Sequence, residues 1–404
     1  MQKLVELRPI AVRGKQLKSS WPKIVRWFQL IVRGPAFRLL VRVLRKQRTA
    51  KRILRETDTR VTRIRHSLAA DFPILIQPQP RLLTVAITAN CNLRCVGCRY
   101  GRDFMSGQQL SFEVVADLLL DARDAGFQTV RLYGGEPLLH KDLARMVRVA
   151  SSVGVTPVIT TNGILLGAKI DELYDAGLRS LTIGYYGEDH AYDAYVQRRG
   201  SFDKLERSVS VVRDRYGANI RMQINFLLSK QSCNLNSLKR ALAFAKRYRT
   251  SFQTDIVHYS LPYFSEGIDR ELQFTASDRD SLNEIVQELL RFKSEFPELY
   301  EEPVPSIRSI TDWAVRGPDM RVPCTAYRLI WVGADGTVQL CYVTFKLGNL
   351  HRTRLRDMLF TGEHHQACRD AFALRCPNCH CERDSRIQTH EASQLAYNSP
   401  KGRS

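Results

Sequence analysis

Long apolar runs are scarce in this sequence, and neither a spanning segment nor an export signal is expected. Of its 404 residues 44% are hydrophobic, enough for a packed core. No uninterrupted apolar run reaches the roughly 18 residues that a spanning helix needs. The first twenty residues lack the apolar block of a secretory signal. Internal repeats and low-complexity tracts are also missing, which excludes repeat architectures and leaves one large domain or two ordinary ones. Ten cysteines in an exported chain would suggest disulfides. Clustered cysteines without an export signal suggest metal instead, and a cytoplasmic location is the expectation.

Acidic residues are scarce near the N-terminus. Residues 1–80 hold 19 Lys or Arg against Glu6, Glu56, Asp58 and Asp71, a balance of +15 out of +20, leaving only +5 for the rest. The basicity therefore belongs to an N-terminal extension. Trp21 to Glu56 reads as helix interrupted near Gly34-Pro35. Phe37, Leu40, Val41 and Leu44 follow the i, i+3, i+4, i+7 rule for one apolar stripe. Arg38, Arg42 and Arg45 line an adjacent face, and Trp21, Trp27 and Phe28 add interfacial aromatics. Such a helix packs on the body or on another subunit, lies on an anionic membrane surface as a peripheral contact, or grips an acidic partner. A proline-punctuated linker, Asp71 to Pro80, ends the extension.

From residue 81 the pattern alternates. Strand-like runs at Leu82–Thr88, Thr129–Tyr133, Thr156–Thr160, Ser180–Gly184, Arg221–Leu228 and Ser251–Tyr259 are separated by helical runs at Ser111–Ala125, Lys141–Val153, Ala168–Ala176, Phe202–Tyr216 and Ser237–Tyr248. Strand–helix alternation predicts an α/β fold with a parallel sheet and right-handed crossovers. The alternation stops at about Thr275. Helices at about 277–296 then lead into a cysteine-rich region, 324–381, and a polar tail from about Gln388.

Cys91, Cys95 and Cys98 form a C-x3-C-x2-C triplet directly after the first strand. Soft thiolates suit zinc, copper(I) or iron–sulfur clusters. A closed cubane takes four cysteines and no fourth lies nearby, so three thiolates would leave one iron open to a non-protein ligand. A zinc loop with a distant fourth ligand is the competing reading. Tyr133-Gly134-Gly135-Glu136-Pro137 ends the second strand, one βα step later.

The triplet followed by GGEP resembles the radical S-adenosylmethionine (radical SAM) enzymes. The resemblance implies a partial (β/α)6 TIM-like barrel over residues 81–275, with reactive groups at the C-terminal strand ends. It implies a [4Fe–4S] cluster on Cys91, Cys95 and Cys98, whose open iron chelates the amino and carboxylate groups of SAM. Reductive cleavage of SAM would give a 5′-deoxyadenosyl radical that takes hydrogen from the substrate. Gly134, Gly135, Glu136 and Pro137 would meet the methionyl ammonium. Polar residues at Thr160-Thr161-Asn162-Gly163, Asn162 above all, would meet the ribose or carboxylate, although an Asn-Gly turn alone would also explain them. Many relatives carry an aromatic against the adenine just before the third cysteine. Here that position is Gly97, so Tyr100 is a substitute. Tyr185 and Glu188, in the loop after the fourth strand, are candidate catalytic or substrate contacts, with ordinary loop polarity as the alternative.

Cys324 and Cys341 bracket Gly336 as C-x11-G-x4-C, and Cys376, Cys379 and Cys381 follow. This resembles the SPASM and twitch extensions, and implies an auxiliary-cluster domain within 276–387. Four ligands are expected, Cys324, Cys341, Cys376 and Cys379, with Cys381 as alternate; a structural zinc is the other option. Asp335-Gly336 between the runs Leu329–Val332 and Val338–Leu340 is a hairpin signal. Cys233, Cys368 and the pair His364-His365 read as packing residues.

The resemblance implies an enzyme reduced by a flavodoxin- or ferredoxin-type donor. The helical, arginine-rich extension favours a small carbohydrate-like substrate. A peptide matured post-translationally is the alternative, with an RNA-modifying enzyme or a non-catalytic Fe–S carrier ranked below.

Overall fold

The computed structural model describes residues 48–100, 102–259, 264, 271–342 and 344–398, with side chains from 56 onward. Two units result, residues 1–61 and residues 62–404. The predicted stripe at Phe37–Leu44 and the aromatics at Trp21, Trp27 and Phe28 lie outside the described residues. The first described element is α1 (Arg48–Ala69), which leads to β1 (Leu82–Thr88). Next come α2 (Phe112–Ala125), β2 (Thr129–Gly134), α3 (Leu143–Ser152), β3 (Thr156–Thr161), α4 (Leu166–Asp175) and β4 (Ser180–Tyr185). They are followed by α5 (Asp189–Val196), α6 (Ser201–Tyr216), β5 (Arg221–Leu228), α7 (Leu235–Arg247) and β6 (Ser251–Ile256).

Period-two alternation decides which side of each strand meets the helices. Leu83, Val85, Ile87, Val130, Leu132, Ile159, Leu181, Ile183 and Ile224 are buried in one cluster with helix residues such as Leu118, Val147, Ile170, Leu205 and Phe244. The intervening residues, among them Thr84, Arg131, Val158, Thr182, Gln223 and Asn225, face the other way, into the barrel. Each fully buried aliphatic contributes about 1.5–3 kcal/mol relative to exposure, so the helix-facing rows dominate stability. Local signals set the helix ends. The Ser111 side chain accepts from Val114 N–H, and Gly126 adopts φ +90° to end α2. Asp193 accepts from the N–H groups of Ser201 (2.9 Å) and Phe202 (3.0 Å), starting α6.

β1 to β6 are parallel neighbours in order, forming the expected partial barrel. After α8 (Arg279–Glu295), α9 (Val304–Arg308) and α10 (Ile310–Arg316), the chain returns to the same sheet. β7 (Leu329–Val332) pairs parallel with β1, and β8 (Thr337–Gln339) and β9 (Lys346–Asn349) follow antiparallel. The Asp335-Gly336 hairpin forms as expected, with Gly336 at φ +80° and Asp335 Oδ1 accepting from Thr337 N–H at 3.0 Å. The cysteine-rich region thus shares the barrel's sheet, which the alternation pattern does not announce. It also reaches the far edge, where His380 Nε2 donates to Ile256 O at 2.8 Å and Arg383 to Thr254 O at 3.3 Å. Together with Phe252 N–H, which donates to Leu299 O at 2.7 Å, these bonds cover the outer edge of β6.

Within the second unit Arg65 and His66, near the end of α1, both meet the Tyr327 hydroxyl at 2.7 Å. Two expectations need correction. The loop after β4 contains a full helix, α5. The segment from Gln388 is no polar tail. It continues α13 (Arg383–Thr389) into α14 (Glu391–Asn398), behind α11 (Leu355–Met358) and α12 (Gly362–Phe372). Arg308 donates to the Tyr397 and Asn398 carbonyls, which ties down the end of α14.

Candidate active site

The cysteine triplet lies on a loop anchored at both flanks. Val96 N–H donates to Tyr195 O (2.9 Å), Arg94 N–H to Val196 O (3.3 Å) and Arg102 to Arg94 O (2.6 Å). Buried Leu93 holds its centre. Burial pushes the Cys91 thiol up to about 12 and raises Cys95 and Cys98 as well, while Cys95 and Cys91 each feel the neighbouring sulfurs. Three adjacent half-buried thiolates repel one another without a cation among them, so this donor set fits an iron–sulfur centre that would neutralise it.

GGEP packs directly on that loop. Gly135 N–H donates to Thr88 O and Glu136 N–H to Asn90 O, both at 2.8 Å. A Cβ on Gly134 would overlap Thr88 O, and one on Gly135 would overlap Asn90 O. Both glycines are therefore required for close approach, and Gly134 also for its φ of +135°. Glu136 is fully buried, and its carboxylate accepts from Thr161 Oγ1 (2.7 Å), Asn162 N–H (2.8 Å) and Leu138 N–H (3.0 Å). Burial raises it to about 7 against these bonds. Pro137 opens a single turn that Glu136 caps. The Asn162 side chain donates to Asn92 Oδ1 at 2.8 Å, joining the end of β3 to the cysteine loop.

Tyr185 and Glu188 are not placed as expected. Tyr185 lies in the helix-facing layer, fully buried against Phe202, Phe226 and Phe244. Its hydroxyl donates to Glu188 Oε1 at 2.9 Å, and Glu188 also pairs with Arg240 at 3.8 Å. Alternation turns this tyrosine away from the barrel interior, so both residues serve packing. The next residue was missed. Tyr186 is half-buried beside Cys95 and Cys98 and stacks on Tyr195 at 4.5 Å. Tyr192 also lies near Cys95 and Cys91, with its hydroxyl donating to Asn162 O at 3.3 Å. The Tyr192/Tyr195 spacing on α5 was the signal available for this wall.

Tyr100 offers no open face: it is 3% exposed and packed edge-on against Phe104 and Tyr133. The ring over Gly97 belongs instead to Phe264, which bridges to Cys98. A Cβ at Gly97 would come within 2.7 Å of it. Nothing local in sequence links these positions.

The C-terminal region brings Cys324, Cys341, Cys376, Cys379 and Cys381 to one cavity, with Arg386 beside them. A hydrogen bond from Cys381 and the Arg386 guanidinium bring Cys379 down to about 7, whereas burial lifts Cys324 to about 11. Arg386 is fully buried, and the Glu382 carboxyl, which feels its charge, lines the same cavity. A cationic wall facing five soft donors fits a thiolate-bound metal centre. Beside the cavity His258 and His380 stack at 3.9 Å near Asp255. Stacked rings share no nearby in-plane point for one ion, so no metal is assigned to this trio. Cys368 and His364 are buried packing residues, the latter accepting Phe360 N–H at 3.0 Å.

Residues 85–226 match the family model described as the Radical SAM superfamily. The chain is 33% identical over 127 residues to the GTP 3′,8-cyclase of Chlorobaculum tepidum, covering 31% of this chain and 38% of that one. It is 29% identical over 207 residues to the molybdenum cofactor biosynthesis protein moc-5 of Caenorhabditis elegans, covering 50% and 34%. The chain thus spans well under two thirds of these curated relatives. Among solved structures, native anSMEcpe with bound AdoMet has a TM-score of 0.57 at 15% identity, over 78% of this chain and 96% of that one. Streptococcus suis SuiB has 0.54 at 16%, over 74% and 69%. Residues 85–226 thus match the radical SAM superfamily, and the fold of the chain is like that of these solved structures. Beyond the matched residues, the C-terminal cysteines Cys324, Cys341, Cys376, Cys379 and Cys381 share one cavity.

Proposed function

We propose that this protein binds a [4Fe–4S] cluster on Cys91, Cys95 and Cys98, binds SAM beside it, and modifies a peptide with the help of an auxiliary cluster. The observation that carries the reading is the convergence of three half-buried thiols with GGEP and Asn162 at the C-terminal ends of β1, β2 and β3. When bound, the cluster and SAM supply the hydrogen-abstracting radical chemistry, fed by a flavodoxin- or ferredoxin-type donor. The protein's part is placement. Gly134 and Gly135 let backbone approach the cluster loop, and an ammonium near Glu136 would favour its carboxylate form. Tyr186 and Tyr195 wall the loop off from water, and Phe264 supplies the ring that Gly97 lacks. Cys324, Cys341, Cys376 and Cys379 hold the auxiliary centre, with Cys381 as alternate.

The carbohydrate-like expectation rested on residues 1–80, most of which lie outside the described residues. A peptide is favoured by the barrel wall, where Gln223 donates to Gln253 at 2.5 Å and the buried Asn225 Oδ1 accepts from none of the described residues. An amide-lined wall with an open acceptor suits a substrate rich in N–H donors. Structures with a fold like this one include anSMEcpe with the Cp18Cys peptide and SuiB bound to its precursor peptide SuiA. The test is anaerobic turnover with dithionite, SAM and fractions of a deuterated cell extract. Deuterium should enter 5′-deoxyadenosine from the peptide fraction; entry from small metabolites alone would overturn the peptide reading.

A further inference from the structure

We propose that the second unit docks on an anionic lipid surface through an apolar patch formed by Ile64, Leu68, Phe72, Ile74 and Leu395. Among the described residues nine large hydrophobics are exposed, and five of them fall in the short stretch from Val61 to Ile74. Ile64 is 63% exposed, Phe72 59% and Ile74 65%. The rest of α1 explains why they point outward. Thr62, His66 and Ala69 are the buried face, and Arg65 and His66 are held by Tyr327. This fixes Ile64 and Leu68 on the opposite side, an apolar face that water alone would not select.

Two further elements extend the face. The turn at Pro73–Leu75 presents Phe72 and Ile74 just beyond the end of α1. Ser67 donates to Glu391 at 3.4 Å, which brings α14 alongside, and Leu395, one turn further along that helix, is 73% exposed.

Charge selects the occupant. Residues 1–80 carry +15, and exposed Arg60 and Arg81 flank the apolar stretch in sequence. A second copy of a +20 chain would be repelled, whereas an anionic lipid surface supplies both the counter-charge and an apolar layer. No described helix is long and apolar enough to cross a membrane, so the contact is peripheral.

The test is flotation of the full-length protein with vesicles of phosphatidylcholine alone or mixed with phosphatidylglycerol, at near-physiological salt. Binding is expected only to the mixed vesicles, and Ile64→Ser/Leu68→Ser/Phe72→Ser/Ile74→Ser should lower it at least about tenfold with melting temperature and iron content unchanged. Equal binding by this variant would show that the basic segment acts alone, and would overturn the patch. So would a dimer, seen by light scattering, that the substitutions dissolve without changing flotation. If the variant fails to fold, Phe72→Trp serves instead: its emission should shift blue on mixed vesicles and be quenched by brominated lipid, and an unshifted spectrum contradicts the proposal.

Discussion

The Thr161 hydroxyl donates to the Glu136 carboxylate at 2.7 Å in a fully buried site, locking the end of β3 to the end of β2. Two backbone N–H groups converge on the same carboxylate. In Glu136→Gln the amide would turn an NH2 group toward at least one of these donors. Leaving a buried donor unmatched costs about 1–3 kcal/mol. The variant should melt lower and bind SAM more weakly in isothermal titration, while its iron content stays near that of the parent.

Gly135→Ala should behave differently. Its Cβ meets the backbone oxygen of Asn90, which cannot move without moving the cysteine loop. Iron and sulfide loading should fall sharply. Gly362→Ala is the matched control, since a Cβ there meets nothing within 4 Å and the residue sits at a helix start. It should raise stability by about 0.5–1 kcal/mol, read by denaturant melts.

Arg386 spreads its guanidinium over Val322 O, Cys379 O and Asn378 Oδ1, and stands over the Trp313 ring at 4.7 Å. Lysine cannot reproduce that fork. Arg386→Lys should lose roughly 2–4 kcal/mol of stability. Spectroscopy should show the auxiliary centre depleted and the Cys91/Cys95/Cys98 centre retained.

His66 makes acid stability testable. Burial, then Arg65 and Arg328, lowers it to about 3. The unfolded chain therefore binds the extra proton first, and stability falls as pH drops below about 6.5 toward the folded value. Between pH 7 and 5 this group alone removes about 2 kcal/mol. His66→Gln should flatten that part of the pH profile relative to the parent, as measured by urea melts. Glu136, raised to about 7, works in the opposite direction in both proteins and cancels from the comparison.

The barrel was legible in sequence because its strands carry strong period-two patterns bounded by capped helices. β1 and β5 begin and end as read, and the Asp335-Gly336 hairpin forms where its turn residues demand. The five C-terminal cysteines, spread over nearly sixty positions, line one cavity. What was hidden depends on side-chain direction or distant pairing. Tyr185 and Tyr186 are neighbours in sequence yet face opposite layers, and only the sheet's register decides which one meets the thiols. Phe264 reaches Gly97 from beyond β6, and β7 joins β1 across more than two hundred residues. α14 looked like a tail because it is short and close to the end of the sequence; Arg308 and the buried Gln394 hold it.

The most direct test is electron paramagnetic resonance of the anaerobically loaded, dithionite-reduced protein, recorded with and without SAM. The account predicts signals from two cubane clusters, only one of which shifts on adding SAM, with that shifting signal absent from Cys91→Ala/Cys95→Ala/Cys98→Ala. Zinc in place of iron at the first centre, or a spectrum indifferent to SAM, would contradict it.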